Sequence, residues 1–300
     1  MKAKRQYCCF LLAMLLSVAL SSCSRPPARG TEETGVSLTS PESASETEAS
    51  QKESSAVSSS EKSVQAAFDA FTKQIFKDEL EGSGLTLHYM LKDPENYGIS
   101  TADPKLGKCS LEYLEQVSAD MEKLSEELHA FDPSLLTADQ LFTYRALDDY
   151  LETELAARGL ELYTRPVSTT IGTQAQLPIL FAEYAFYDRQ DVEDYLNLMS
   201  QIDSYYKSIA EFEKIRADAG LAPCDLVLDQ IIQSCKDYMI RPENSFLNET
   251  FNSKLDSIDG LTEEEKNEYK ARHLAVMKEH FIPAYQMLAG ELEKLKGRGQ

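Results

Sequence analysis

DRQDVEDYLNLMSQIDSYYKSIAEFEKIRADAGLAPCDLVLDQIIQSCKDYMIR, residues 188–241, is the stretch that decides the fold. Val192, Tyr195, Met199, Ile202, Tyr206, Ile209 and Phe212 follow one another in steps of three and four. That spacing sets an apolar face along more than five turns of the first of two helices, which are expected to join at a single corner, 219–223. Gly220 suits the left-handed residue that ends a helix, and Pro223 suits the first turn of the next. A second apolar face is expected at Leu226, Ile231, Cys235 and Met239, ending where Pro242 biases Arg241 out of helical geometry.

Working outward, further helices are expected over 63–80, 110–130, 137–158 and from Thr262 onward, where Thr262 and Glu265 have capping-box spacing. Pro283 predicts a kink in the last of these. Residues 85–98 read as a packed loop and 244–260 as irregular. Between 160 and 180 the β-formers Val167, Thr169, Thr170 and Ile171 predict a short strand or hairpin. The expected fold class is mostly α, an antiparallel multi-helix assembly with at most that one short strand or hairpin.

The amino terminus reads differently. Lys2, Lys4 and Arg5 precede an apolar run too short for a comfortable membrane span, so residues 1–22 read as an export signal. The run ends Leu20-Ser21-Ser22-Cys23, which resembles a bacterial lipobox with Cys23 as the lipidated residue. An acyl chain there would hold the protein on the membrane by its buried methylenes, facing the extracytoplasmic side, with membrane lipid as a partner. Residues 23–62 read as a disordered tether: between 31 and 62 there are ten Ser and seven Glu against two Lys and no aromatic residue. Residues 63–300 form the helical domain.

The first 62 residues hold seven basic and seven acidic residues, so the whole net charge of −20 falls on 63–300. Nucleic acid and anionic lipid headgroups are thereby excluded as ligands of this body, because both need clustered Lys and Arg. Cys109, Cys224 and Cys235 are the thiols beyond Cys23. They are odd in number, and Cys224 and Cys235 stand about 16 Å apart along one helix, so core thiols are expected rather than disulfides.

Zinc hydrolases on helices place two His four residues apart with a Glu between them. His88, His129, His273 and His280 include no such pair. His273 and His280 are seven apart, and core or surface roles are expected of both. Arg216 either holds a carboxylate or caps its helix end. Tyr184, Tyr187, Tyr195, Tyr205 and Tyr206 either line a groove or pack as core with wet hydroxyls.

Several motifs in order carry a resemblance: Leu87-His88-Tyr89 before Asp93-Pro94-Glu95-Asn96-Tyr97-Gly98, Gly172-Thr173-Gln174 with Leu177-Pro178, Asp191-Val192 with Tyr195-Leu196, and Arg216 through Pro223. Over residues 68–296 the chain resembles the bacterial family catalogued as domain of unknown function 885. Its members look like helical zinc metallopeptidases of the gluzincin kind, about twice as long. Their His-Glu-x-x-His variant lies in the half this chain lacks. The resemblance therefore implies an amino-terminal half, with no metal or catalytic residue to carry over and zinc expected only with a missing carboxyl-terminal half. It also implies that the segment at Gly172 and Gln174, with Tyr184 and Arg216, borders a peptide groove. Three readings follow: a split metallopeptidase-like lipoprotein inactive alone, a non-catalytic surface protein that binds peptides or a partner, and a spacer. A half body is also expected to expose an apolar seam.

Overall fold

The computed structural model describes residues 58–299 apart from 83 and 100–103, and among them every regular element is helical. The expected signal peptide, Cys23 and nearly all of the tether lie outside the described residues. The end of the tether does not. Helix α1, Ser59–Gly82, starts at Ser59 rather than Ser63, because Ser58 N donates to Glu61 Oε2 (2.6 Å) while Glu61 N donates to Ser58 Oγ (3.1 Å). That exchange satisfies two free donors of the first turn.

Among the described residues two cores divide most of the helices, with a minor cluster of Leu80, Leu87 and Ile99 beside them. The smaller joins α1 to α3 (Leu111–His129) and α4 (Ala138–Ala156) around Phe68, Val117, Leu124, Leu128 and Leu151. Ser110 caps α3, and Thr137 with Gln140 forms a capping box for α4, so both starts follow their sequence signals. Phe76, on α1, sits exposed beside the Tyr97 ring, 6.0 Å between centroids.

The larger core is built on α6 (Arg189–Ser200), α7 (Ile202–Asp218), α8 (Asp225–Asp237) and α11 (Ile282–Glu293). Residues 188–241 supply three of these four in place of the two expected helices, because the first breaks at Gln201 into α6 and α7. Gly220 adopts φ 78° and Leu221 N reaches back to Arg216 O at 2.9 Å, closing α7 with a left-handed cap. All seven apolar positions of the expected face are buried, and each such Leu, Ile or Phe contributes about 1.5–3 kcal/mol. Leu226 is a miss: it is 68% exposed, and Leu228, Ile231, Ile232 and Cys235 make the inner face of α8. Cys109, Cys224 and Cys235 are all free thiols.

Three local expectations fail. Residues 85–90 belong to a short helix, α2 (Gly84–Met90), instead of a loop. Residues 246–256 form α9 (Phe246–Asp256), capped by Ser245 and packed through Leu247, Phe251 and Leu255. The strand or hairpin of 160–180 is absent among the described residues. A 3-10 turn at Glu161–Tyr163 leads instead to α5, Thr173–Glu183. Val167 buries its side chain in the larger core, and its β propensity has no neighbouring strand to act on.

The last helix is not uniform. Thr262 opens α10 (Glu263–Val276) with the expected capping box, and a π turn at Met277–Phe281 separates it from α11. Ile282 N bonds to Met277 O, five residues back. Pro283 lacks an N–H and its ring crowds the carbonyl four residues earlier; the wider turn relieves that clash, so the expected kink takes this form.

Candidate functional site

Helix α5 has apolar residues around its whole circumference, and its backbone is held at both ends by side chains distant in sequence. At the amino end Gly172 is the N-cap. A Cβ there would fall inside contact distance of Ser168 N and Gln174 Oε1, so only glycine fits. Gln174 is fully buried and its Nε2 donates to Ser168 O at 2.5 Å. Pro178 inside the helix removes the N–H that would reach Gln174 O. Tyr285 supplies the replacement: its hydroxyl donates to Gln174 O at 2.7 Å and accepts from Tyr206 at 2.9 Å. Burial pushes both phenols well above their ordinary range, which keeps them protonated donors.

The carboxyl end is held by a lysine. Lys254 Nζ donates to Phe181 O (3.1 Å), Ala182 O (3.0 Å) and Tyr184 O (2.9 Å), using all three of its protons on carbonyls that the helix leaves unpaired. The ammonium also lies 4.9 Å from the Phe186 ring centroid and 5.5 Å from that of Tyr195. Burial pulls it down to about 8. Tyr89 adds a further donor, to Leu180 O at 2.5 Å.

Beyond that end the Tyr184 ring stacks on His88 at 3.7 Å, and His88 Nδ1 lies 3.3 Å from Asp191 Oδ1. Asp191 accepts from Tyr187 N (2.7 Å) and Asp188 N (3.1 Å) as the N3 carboxylate of the α6 capping box. Burial pushes Asp191 up, but bonds from His88, Tyr187 and Asp188 outweigh it and hold the carboxyl below its usual range. Deeper in the core His273 stacks on Phe251 at 4.1 Å, and its Nε2 lies 3.4 Å from Tyr195 OH. Burial first, and Lys254 second, depress this imidazole to about 3, so it is neutral.

The four residues expected at a groove do not form one site. Gly172 and Gln174 meet at one end of α5, and Tyr184 is at the other. Arg216 belongs to a separate buried pair on α7: its Nη1 donates to Glu213 at 2.8 and 2.6 Å, and its Nε to Leu162 O at 2.8 Å. It holds a carboxylate, that of its own helix. Of the tyrosines, Tyr184, Tyr195 and Tyr206 are core and Tyr187 is exposed.

The histidines do not fit a zinc site. His129 faces Asp148 (2.7 Å), His280 faces Asp203 (3.0 Å), His88 and His273 sit as described, and no group of three His, Cys, Asp or Glu able to hold a metal occurs among the described residues. Lys254 and Tyr285 were missed from the sequence. The one available signal was Pro178: a proline inside a helix announces a carbonyl in need of a donor.

Over residues 94–299 the chain is similar to a family described as "Bacterial protein of unknown function (DUF885)". Among solved structures it resembles "the putative lipoprotein from Colwellia psychrerythraea", with a TM-score of 0.66 and 18% identity over 81% of this chain. That likeness is one of fold, and this chain spans 42% of the length of that one. No curated protein matches.

Proposed function

We propose that this chain, which belongs to the bacterial family of unknown function DUF885, is a lipid-anchored extracytoplasmic protein whose helical body presents a peptide-binding surface and does not itself catalyse hydrolysis. The body corresponds, in this reading, to the amino-terminal helical half of a zinc-metallopeptidase-like protein. The observation that carries it is α5. The backbone of this helix is fixed at both ends by Tyr285 and Lys254, yet Ile179 remains exposed on it and Ile171 is exposed just ahead of it. A fixed apolar surface binds a partner without first having to be ordered. The relative lengths support a second reading, in which a further segment of comparable size completes the groove and supplies the metal ligands: the Colwellia psychrerythraea structure has 58% of its chain beyond the part matched here.

The lipid anchor is supported by the sequence around Cys23 and by the description of the structural neighbour. Among the described residues no helix is long and apolar enough to cross a membrane. Cys23→Ala is expected to move the protein from the membrane fraction to the soluble extracytoplasmic fraction, because the acyl methylenes supply the attachment. Retention of the variant in the membrane overturns the anchor. For the body, elemental analysis of the purified protein is expected to give substoichiometric zinc, with no release of product from a mixed peptide library. One zinc per chain together with cleavage from these residues alone refutes the non-catalytic reading.

A further inference from the structure

We propose that the outward face of α5 is the docking floor for a cationic, amphipathic peptide segment. The proposal rests on the peptide-surface reading above and adds where the peptide lies and what charge it carries.

The floor is built from Ala175, Ile179 and Ala182, spaced by four and three so that they fall along one side of α5, with Ile171 in the turn just before the helix. Ile171 is 68% and Ile179 43% exposed, while Leu177, Pro178 and Phe181 bury the opposite side. A helix apolar all round is ordinarily covered on every side. On this one Ile179 is left exposed, with Ala175 and Ala182 beside it only partly covered. Aromatic side chains border it and are joined to it by hydrogen bonds: Tyr89 through Leu180 O at 2.5 Å, and Tyr238 through Ala175 O at 3.4 Å, with the exposed Phe246 ring 6.3 Å from that of Tyr238. The carbonyls of Gln174, Leu180, Phe181, Ala182 and Tyr184 already have donors. Recognition here therefore runs through side chains, as when an amphipathic helix lays its apolar face on an apolar strip.

Charge selects the occupant. At the carboxyl end of α5 stand Glu183, Asp188 and Asp194, close enough to Tyr89 and Tyr184 to act on their phenols. The nearby bases are engaged: Lys254 is turned onto three carbonyls, Arg189 pairs with Glu265 at 2.6 Å, and Lys92 lies over the Tyr187 ring. A cavity of about 220 Å³ opens at the same end, lined by Asp188 and Asp259 as well as Arg189 and Tyr187. With a net charge of −20 on the body, an acidic peptide, an anionic bilayer and a second copy of the chain are all repelled, and a cationic segment is drawn in.

The chain contains no Trp, so the fluorescence of a tryptophan placed in a peptide reports that peptide alone. The probe is a synthetic lysine–leucine amphipathic helix with one tryptophan, compared with counterparts carrying Glu or Gln in place of Lys. The expected result is a saturable blue shift with the lysine peptide that weakens as salt is raised. Binding should fall about tenfold in Ile179→Gln, and stay unchanged in Phe142→Gln, an exposed site on the smaller core. Equal binding of the Gln peptide leaves the apolar surface standing and overturns the charge assignment. Binding that Ile179→Gln does not alter, or no binding of any of the three, overturns both. Sedimentation showing a dimer that Ile179→Gln dissolves assigns the face to a second copy and also overturns the proposal.

Discussion

Arg216→Met is expected to destabilise the folded chain by about 3–5 kcal/mol. Glu213 has no exposure and Arg216 has 3%, so the substitution leaves a carboxylate in the core with its cation gone and the Leu162 carbonyl without its donor. Burial already pushes Glu213 up, with Arg216 opposing that rise through charge and hydrogen bonding; without Arg216 only the smaller effect of the Arg165 charge opposes the burial penalty. Urea unfolding should show the loss as a lower midpoint at an unchanged slope. The double variant Glu213→Leu/Arg216→Met should recover most of it, because a buried ion pair is worth little against apolar replacements of similar volume while half a pair is costly. If the single variant unfolds at the wild-type midpoint, the pair is not structural and Arg216 returns as a candidate ligand-binding residue.

His273 gives the other large effect, and it is set by pH. The imidazole is depressed from 6.5 to about 3, so between those values the unfolded chain holds a proton that the folded chain excludes. Stability therefore rises with pH across this window, and is lost as the pH falls from 6.5 toward 3. At pH 4.5 the gap of two units corresponds to about 2.7 kcal/mol, and below pH 3 the full difference approaches about 5 kcal/mol. Acidic side chains titrate in the same range, so the test is a difference: thermal melts of wild type and His273→Phe, which keeps an aromatic ring on Phe251. The two curves should converge as pH falls from 6.5 toward 3. Parallel curves from pH 7.5 to 4 would show that this ring is not excluded from protonation.

The helical body was legible wherever local chemistry and long periodicity agreed. Ser110, Thr137, Asp188 and Thr262 all cap helices through their side chains, and Gly220 turns the corner between α7 and α8. Helix α9 escaped notice because Asn248, Glu249, Asn252 and Ser253 dilute a stripe of three apolar residues, each four apart. The reading of 160–180 failed for another reason: β-branched residues state what a pleated neighbour would favour, and none is present to favour it. The site was legible in part. Gly172 and Gln174 were marked out by the family resemblance, but Lys254 meets α5 across 70–73 residues and Tyr285 across 111. Contacts of that range follow from packing, which no local signal encodes.

The widened turn at Met277–Phe281 has a bearing on how the chain tolerates change. One additional residue in a helix advances everything after it by about 100° around the axis. Tyr285, Leu288 and Leu292 point inward because that extra residue has been counted in, and so does the hydroxyl that answers the carbonyl freed by Pro178. The two prolines, more than a hundred positions apart, are thus matched halves of one angular setting: the first leaves a gap and the second, through its bulge, rotates the filler into place. Insertions or deletions between 277 and 281 would dial α11 out of phase with α5 while leaving its composition untouched.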